Sequence, residues 1–123
     1  MKKKIGFIGL GVMGSNIAQN LIKHIDQLNI ISRNSKRTLA FISKFKKNKK
    51  LKIFDSLENL TKNSNIIISC VGNDKDLKDI FLKKNGVLKN ICKNSIIIDH
   101  TTASAEITKT LYKKFLLKGC FFY

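Results

Sequence analysis

The sequence predicts an α/β chain: a parallel sheet of about six strands with helices wound over both faces. Three observations predict it. Short apolar segments alternate with helix-periodic segments along all 123 residues. Two of the apolar runs, Ile66-Ile67-Ile68 and Ile96-Ile97-Ile98, are continuous and β-branched, as a strand buried on both faces requires. The first segment, Lys4 to Ile8, runs straight into Gly9-Leu10-Gly11-Val12-Met13-Gly14, a G-x-G-x-x-G spacing. Right-handed crossovers then give the strand order 3-2-1-4-5-6, with a crevice at the carboxyl ends where the order reverses.

Taken in order, a first helix should begin near Met13, with Ile17, Leu21 and Ile25 on its inner stripe and Ala18 and Ile22 beside them. Leu28 to Ile31 reads as the second strand, and Ser32-Arg33-Asn34-Ser35 leaves its carboxyl end. A second helix is expected from about Lys36 to Lys46, with Leu39 and Ile42 inward and Phe41 or Phe45 joining them. Leu51 to Phe54 is a brief third strand, and Asp55 or Ser56 caps a short helix carrying Leu57 and Leu60. Asn65 to Val71 is the fourth strand, and Asp74 can cap a helix with Leu77, Ile80 and Phe81 inward, which Asn85-Gly86 stops. Val87-Leu88 and Ile91 suggest an apolar turn before the fifth strand, Ser95 to Asp99. Ser104 can cap a last helix with Ile107, Leu111 and Phe115 in register, and Cys120 to Tyr123 begins a sixth strand. This is a Rossmann-type arrangement.

Composition narrows the function classes. No apolar run reaches the roughly 18 residues of a membrane span, and Met1-Lys2-Lys3-Lys4 is followed by too few apolar residues for a secretory signal. Cys70, Cys92 and Cys120 lie far apart without C-x-x-C spacing, which argues against a zinc site or disulfide framework and for reduced core thiols in a cytoplasm. The net charge of +16 invites a nucleic-acid reading, but only Arg33 and Arg37 among the 24 basic residues are arginines. Lysines scattered by composition neutralise phosphates without reading bases, so no specific nucleic-acid partner is expected. The one dense run, Lys46-Lys47-Asn48-Lys49-Lys50, should end a helix as a solvated loop.

Four stretches should converge on the carboxyl edge: Gly9 to Gly14, Ser32 to Arg37, Val71 to Asn73, and Asp99 to Ser104. In the first, Gly9 permits a tight turn, Gly11 lets a pyrophosphate approach the backbone, and Gly14 lets the helix pack close to the sheet. The helix amides and the positive dipole end would face the phosphates. The bland alternative is a glycine-rich turn with no ligand. At the second stretch an acid would hold a free ribose 2′-hydroxyl; here Ser32-Arg33-Asn34 stands instead, and an arginine fork suits a 2′-phosphate, with Lys36 and Arg37 adding charge. Arg33 also reads simply as an exposed residue at a strand end. Asp99 reads as a strand-end residue bonding local backbone N–H groups, and His100 as a solvent-edge imidazole rather than a catalyst.

Phe7 to Gly14, followed by Ala18, Asn20 and Leu21, resembles the N-terminal signature of the β-hydroxyacid dehydrogenases. These include 3-hydroxyisobutyrate dehydrogenase, tartronate semialdehyde reductase and related glyoxylate and succinic semialdehyde reductases. Ile98-Asp99-His100-Thr101-Thr102-Ala103-Ser104 resembles the family's substrate loop, and Ser32-Arg33-Asn34 stands where NADP-preferring members often have Asn-Arg-Thr. The resemblance covers the whole chain. It departs at Ile17, where methionine is usual, and at Ile25, where a glycine commonly ends the first helix.

The resemblance implies a dinucleotide-binding domain over residues 1–123, taking NADP, with NAD possible. Its cofactor contacts would be Gly9, Leu10, Gly11, Val12, Met13, Gly14, Ser32, Arg33, Asn34, Val71, Gly72, Asn73 and Thr102; Val71 to Asn73 falls where the family touches the nicotinamide-side ribose. Thr101 and Thr102 would hold a small hydroxy acid or semialdehyde. The family's catalytic lysine sits on a long helix of a second, all-helical domain that would lie beyond Tyr123, so no catalytic residue is assigned among these. Lys109 and Lys113, on the outer helix, are no substitute. A homo-oligomer would form through that second domain. The alternative is a non-catalytic dinucleotide-binding or scaffold module that pairs with a separate chain.

Overall fold

Parallel strands demand crossovers, and the chain supplies one helix or more at each. The computed structural model describes residues 2–31 and 35–123. Its strands are β1 (Lys4–Ile8), β2 (Gln27–Ile31), β3 (Leu51–Phe54), β4 (Ile66–Ser69), β5 (Ile96–Asp99) and β6 (Phe121–Phe122). The helices between them are α1 (Val12–Leu21), α2 (Lys36–Phe45), α3 (Leu57–Lys62), α4 (Asp74–Phe81), α5 (Val87–Asn90) and α6 (Ala105–Leu117). All pairings are parallel and the order is β3-β2-β1-β4-β5-β6, as the sequence predicts. The order reverses between β1 and β4, so the crevice opens above those two strands.

Side-chain alternation along the strands builds two cores. Ile5, Phe7, Leu28, Ile30 and Ile68 point to one face and bury against Ala18, Ile22 and Ile25 of the α1 region and Phe41 of α2. Ile8, Ile67 and Ile97 point to the other and meet Leu60, Leu77, Phe81, Leu111 and Phe115. There Phe81 and Phe115 meet edge to face at 5.6 Å and Phe115 stacks on Phe122 at 5.6 Å, so the two-residue β6 is held by ring packing as well as by its ladder.

Several local expectations shift. The buried line of α1 runs through Gly14, Ala18 and Ile22, with Ile17 and Leu21 only half-buried, because the smallest residues let the helix come closest to the sheet. In α2, Phe41 and Thr38 point inward and Leu39 is 52% exposed. Two residues on a helix are about 200° apart, so Phe41 inward means Leu39 outward. Of the two candidate caps for α3, Ser56 is the one used. α4 is capped by Asn73, one residue before the predicted Asp74: Asn73 Oδ1 accepts from Asp76 N at 3.0 Å. The apolar turn around Val87 is the short helix α5. Lys50, from the dense basic run, reaches back to the carboxyl end of α1 and donates to the carbonyls of Ile22 (3.2 Å) and Lys23 (3.4 Å). Of the three thiols, only Cys120 is a core residue; Cys70 is half-buried and Cys92 exposed, and all three are free.

β5 was expected to be buried on both faces, and it is not. Ile96 and Ile98 are half-buried, and on the same face Phe121 and Tyr123 are 49% and 71% exposed. α1 and α2 cover the β1–β2 half of that face and do not reach the β6 edge. An apolar surface beside a short edge strand favours association. Sedimentation of the chain is expected to show concentration-dependent self-association that Phe121→Lys with Tyr123→Lys suppresses; a monomer at every concentration would contradict this.

Candidate cofactor cleft

The three glycines of the first loop do three different things. Gly9 lies at φ +98°, in the left-handed region, and a Cβ there would sit 2.1 Å from the Cys70 carbonyl oxygen. Gly14 packs under the loop, where a Cβ would sit 1.9 Å from the Gly9 carbonyl oxygen. The fold itself therefore excludes side chains at both. Among the described residues, a Cβ at Gly11 would meet nothing within 4 Å. The described residues impose no steric need for glycine at that position and leave open space beside its backbone.

The helix behind this loop is primed for an anion. Gly11 is the N-cap of α1 and offers no side-chain bond, and the first turn of α1 carries no acid. The other helices of eight residues or more, α2, α4 and α6, have their first amides bonded by Ser35, Asn73 and Ser104. Among the described residues no side chain bonds the first amides of α1, which leaves them to a ligand.

The loop opens onto a cleft of about 660 Å³ lined by Gly9, Leu10 and Gly11, by Val71 and Gly72 after β4, and by Ser35 to Thr38 at the start of α2. That size falls in the range of small-molecule and cofactor sites. Lys36 and Arg37 bring positive charge to the β2 side. Asp76, Asp79 and Ile80 also line the cleft and were not anticipated. Asp76 lies in the first turn of α4, and its carboxylate accepts from Gly72 N, four residues back, at 3.2 Å, which holds the loop after β4.

The predicted site residues separate into groups. Gly9, Leu10, Gly11, Val71 and Gly72 come together around the cleft. Val12 and Met13 are exposed beside it, and Gly14 is buried beneath the loop. Ser32, Arg33 and Asn34 lie outside the described residues. Asn73 has its side chain engaged in the α4 cap. Thr102 is exposed on the loop after β5. His100 is exposed, donates its backbone N–H to the Ser69 carbonyl at 2.8 Å, and does not line the cleft.

A compact polar cluster stands where β4 and β5 end. Ser69 and Asp99 are register partners, and Ser69 Oγ donates to Asp99 Oδ1 at 2.8 Å. The same oxygen accepts from Thr101 Oγ1 at 2.7 Å and from Thr101 N at 3.2 Å. Thr101 Oγ1 in turn accepts from Val71 N at 3.0 Å. Partial burial, with the Asp99 charge nearby, pushes the Cys70 thiol up from its ordinary value, so it is a poor nucleophile. A second tie joins the same two connections: the Asp74 carboxylate accepts from Ser104 Oγ at 2.6 Å and from Ser104 N at 2.9 Å. These bonds hold the Asp74 carboxyl below the usual range. Among the described residues, no group of three His, Cys, Asp or Glu side chains is placed to hold a metal, and no helix is long and apolar enough to cross a membrane.

Residues 4–123 match the family described as the NAD binding domain of 6-phosphogluconate dehydrogenase. The chain belongs to that family. Among its relatives, an uncharacterized oxidoreductase of Shewanella frigidimarina (strain NCIMB 400) is 31% identical over 108 residues, covering 88% of this chain and 36% of the relative. A solved 3-hydroxyisobutyrate dehydrogenase of Mycobacterium tuberculosis superposes with a TM-score of 0.80 at 16% identity, covering 99% of this chain and 39% of that one. Psf3, solved in complex with NADP+ and 2-OPP, superposes with a TM-score of 0.83 at 21% identity, covering 96% of this chain and 40% of that one. At those identities the structures speak to the fold. The chain spans a little over a third of the length of the Shewanella relative. The family is one of NAD binding domains, and the open position at Gly11, the α1 amides without a side-chain partner among the described residues and the size of the cleft all fit a dinucleotide.

Proposed function

We propose that this chain is the NADP-binding part of an oxidoreductase, similar to 3-hydroxyisobutyrate dehydrogenase, that passes a hydride between the cofactor and a small hydroxy acid or semialdehyde. The observation that carries the cofactor half is Gly11: a glycine the fold does not need, set at an uncapped helix end over a cleft of cofactor size. The preference for the 2′-phosphate rests on charge. No acid occurs between Asp26 and Asp55, whereas Arg33, Lys36 and Arg37 follow β2 within a few residues. The substrate class rests on the likeness of the Asp99 to Ser104 loop to the hydroxyacid dehydrogenase loop.

The cofactor, once bound, supplies the hydride chemistry. The chain's own contribution is placement: α1 amides for the pyrophosphate, the α2 start for the adenosine phosphate, and the loops after β4 and β5 for the nicotinamide half and the substrate. An alcohol oxygen at that edge needs a proton donor within hydrogen-bond reach. The lining of the cleft offers no histidine, and His100 lies outside it. The 123-residue chain is therefore expected to bind NADPH saturably and to turn over no semialdehyde. Fluorescence titration with NADPH, followed by an assay over a panel of semialdehydes, tests both halves. Absence of saturable binding overturns the cofactor reading. Turnover that disappears in His100→Ala would make His100 the acid.

A further inference from the structure

We infer that Asp99 and Thr101 are positioning residues that form a clasp between the loops after β4 and β5, and that this clasp sets where the nicotinamide half of the cofactor lies. The inference rests on the cofactor reading above and adds a role for two side chains. Asp99 Oδ1 gathers Ser69 Oγ, Thr101 Oγ1 and Thr101 N, at 2.8, 2.7 and 3.2 Å. Thr101 Oγ1 then receives Val71 N at 3.0 Å. The chain of bonds therefore runs from β4 through β5 and back to the first residue of the loop that lines the cleft.

That loop is also pressed from the other side. The Gly9 backbone lies so close to the Cys70 carbonyl that a Cβ there would fall 2.1 Å from it, and 3.2 Å from Val71 Cγ1. Val71 is thus fixed between the dinucleotide loop and the clasp. A dinucleotide lying across the switch point has its adenosine half over the β2 side and its nicotinamide half over the β4–β5 side. Moving Val71 and Gly72 would disturb the second half and leave the first untouched.

The clasp also decides between the two threonines as substrate contacts. A hydroxyl has one proton. That of Thr101 goes to Asp99, so it has none for a substrate carboxylate, which only accepts. Thr102, exposed on the same loop, is the threonine with a hydroxyl to offer. Thr101 acts through Val71, not by touching substrate.

The test compares whole cofactor with a fragment that lacks the nicotinamide riboside half. NADPH and 2′-phospho-ADP, which carries no second ribose, are titrated against the 123-residue chain, its Thr101→Val and Thr101→Ser variants and Asp99→Ala, with NADPH emission recorded as a report on the nicotinamide environment. Thr101→Val is close to isosteric and removes only the relay. It and Asp99→Ala should bind NADPH about tenfold more weakly, the scale of one lost hydrogen bond to a charged group. Their bound-state emission should shift, and their affinity for 2′-phospho-ADP should stay as in the parent. Thr101→Ser, which keeps the oxygen, should behave as the parent does. Retained fragment binding shows that the variants are folded. Equal losses for cofactor and fragment, no loss for either, or failure of Thr101→Ser to rescue each overturn the clasp. A parent chain that binds neither compound overturns the cofactor reading, and the clasp's role with it.

Discussion

Gly11→Val is expected to abolish dinucleotide binding in a chain that still folds, whereas Gly14→Ala is expected to damage the fold itself. The contrast follows from what a Cβ would touch. At Gly11 it touches nothing within 4 Å, and the backbone there, φ −74° and ψ −162°, is extended and open to any residue. Loss of glycine at a helix N-cap costs about 0.5–1 kcal/mol. A stiffer residue at a compatible backbone position returns about 0.4–1 kcal/mol by restricting the unfolded chain. The two nearly cancel, and the thermal midpoint should hardly move. A bound pyrophosphate, though, would meet the new side chain where it needs the α1 amides. Two charge-assisted bonds at about 1.5–3 kcal/mol each make the loss a hundredfold or more.

At Gly14 the obstacle is the Gly9 carbonyl oxygen, 1.9 Å from the new Cβ, and it is backbone, so no side chain can swing aside. α1 must retreat from β1, and overpacking of that kind costs roughly 1–3 kcal/mol, visible as a clear drop in melting temperature. Thermal melts and NADPH titrations of both variants check the pair. Comparable destabilisation by Gly11→Val, or unchanged NADPH affinity in it, contradicts the assignment of Gly11 to ligand space.

The second large effect concerns cofactor choice. Arg33→Asp is expected to convert a preference for NADPH into one for NADH. A bidentate arginine–phosphate contact contributes roughly 1.5–3 kcal/mol, or about ten- to a hundredfold in affinity. An aspartate there repels the 2′-phosphate and accepts from a free 2′-hydroxyl, so the two affinities should move in opposite directions. Lys36 and Arg37 line the cleft and should leave some residual NADPH binding in the variant. Parallel titrations of NADPH and NADH against parent and variant decide it. Equal affinities in the parent, or an NADH preference already present there, would remove Arg33 from the argument.

The glycine loop and the cleft beside it were legible in the sequence because their determinants are local. A strand that enters G-x-G-x-x-G and leaves as a helix constrains the backbone over little more than ten residues, and steric limits on those residues do not depend on the rest of the chain. The same holds for the alternation of strands and helices, which periodicity alone reveals, and for the strand order, which chain connectivity and crossover handedness leave little freedom to vary. The α6 face of Ile107, Leu111 and Phe115 was predicted and is buried as predicted, since three apolar residues at helical spacing leave one choice of face.

Tertiary structure decided the pairings between distant residues. Asn29, within an apolar strand, is fully buried because its Nδ2 finds the Asn63 carbonyl and Ser64 Oγ, more than thirty residues away. Asp74 gives up the α4 cap to Asn73 and turns to Ser104, thirty residues on. The aromatics of α2 left more than one inward face open, and contact with the sheet chose Phe41 over Leu39. Asp99 read as a strand-end residue bonding local backbone, and it does so at Thr101 N. Its link to Ser69, and through Thr101 to Val71, exists only because β4 and β5 pair with Ser69 opposite Asp99. Periodicity and turn chemistry report on neighbours in sequence. Which of two polar side chains meets a third is set by register and packing, and those come into being only when the sheet is assembled.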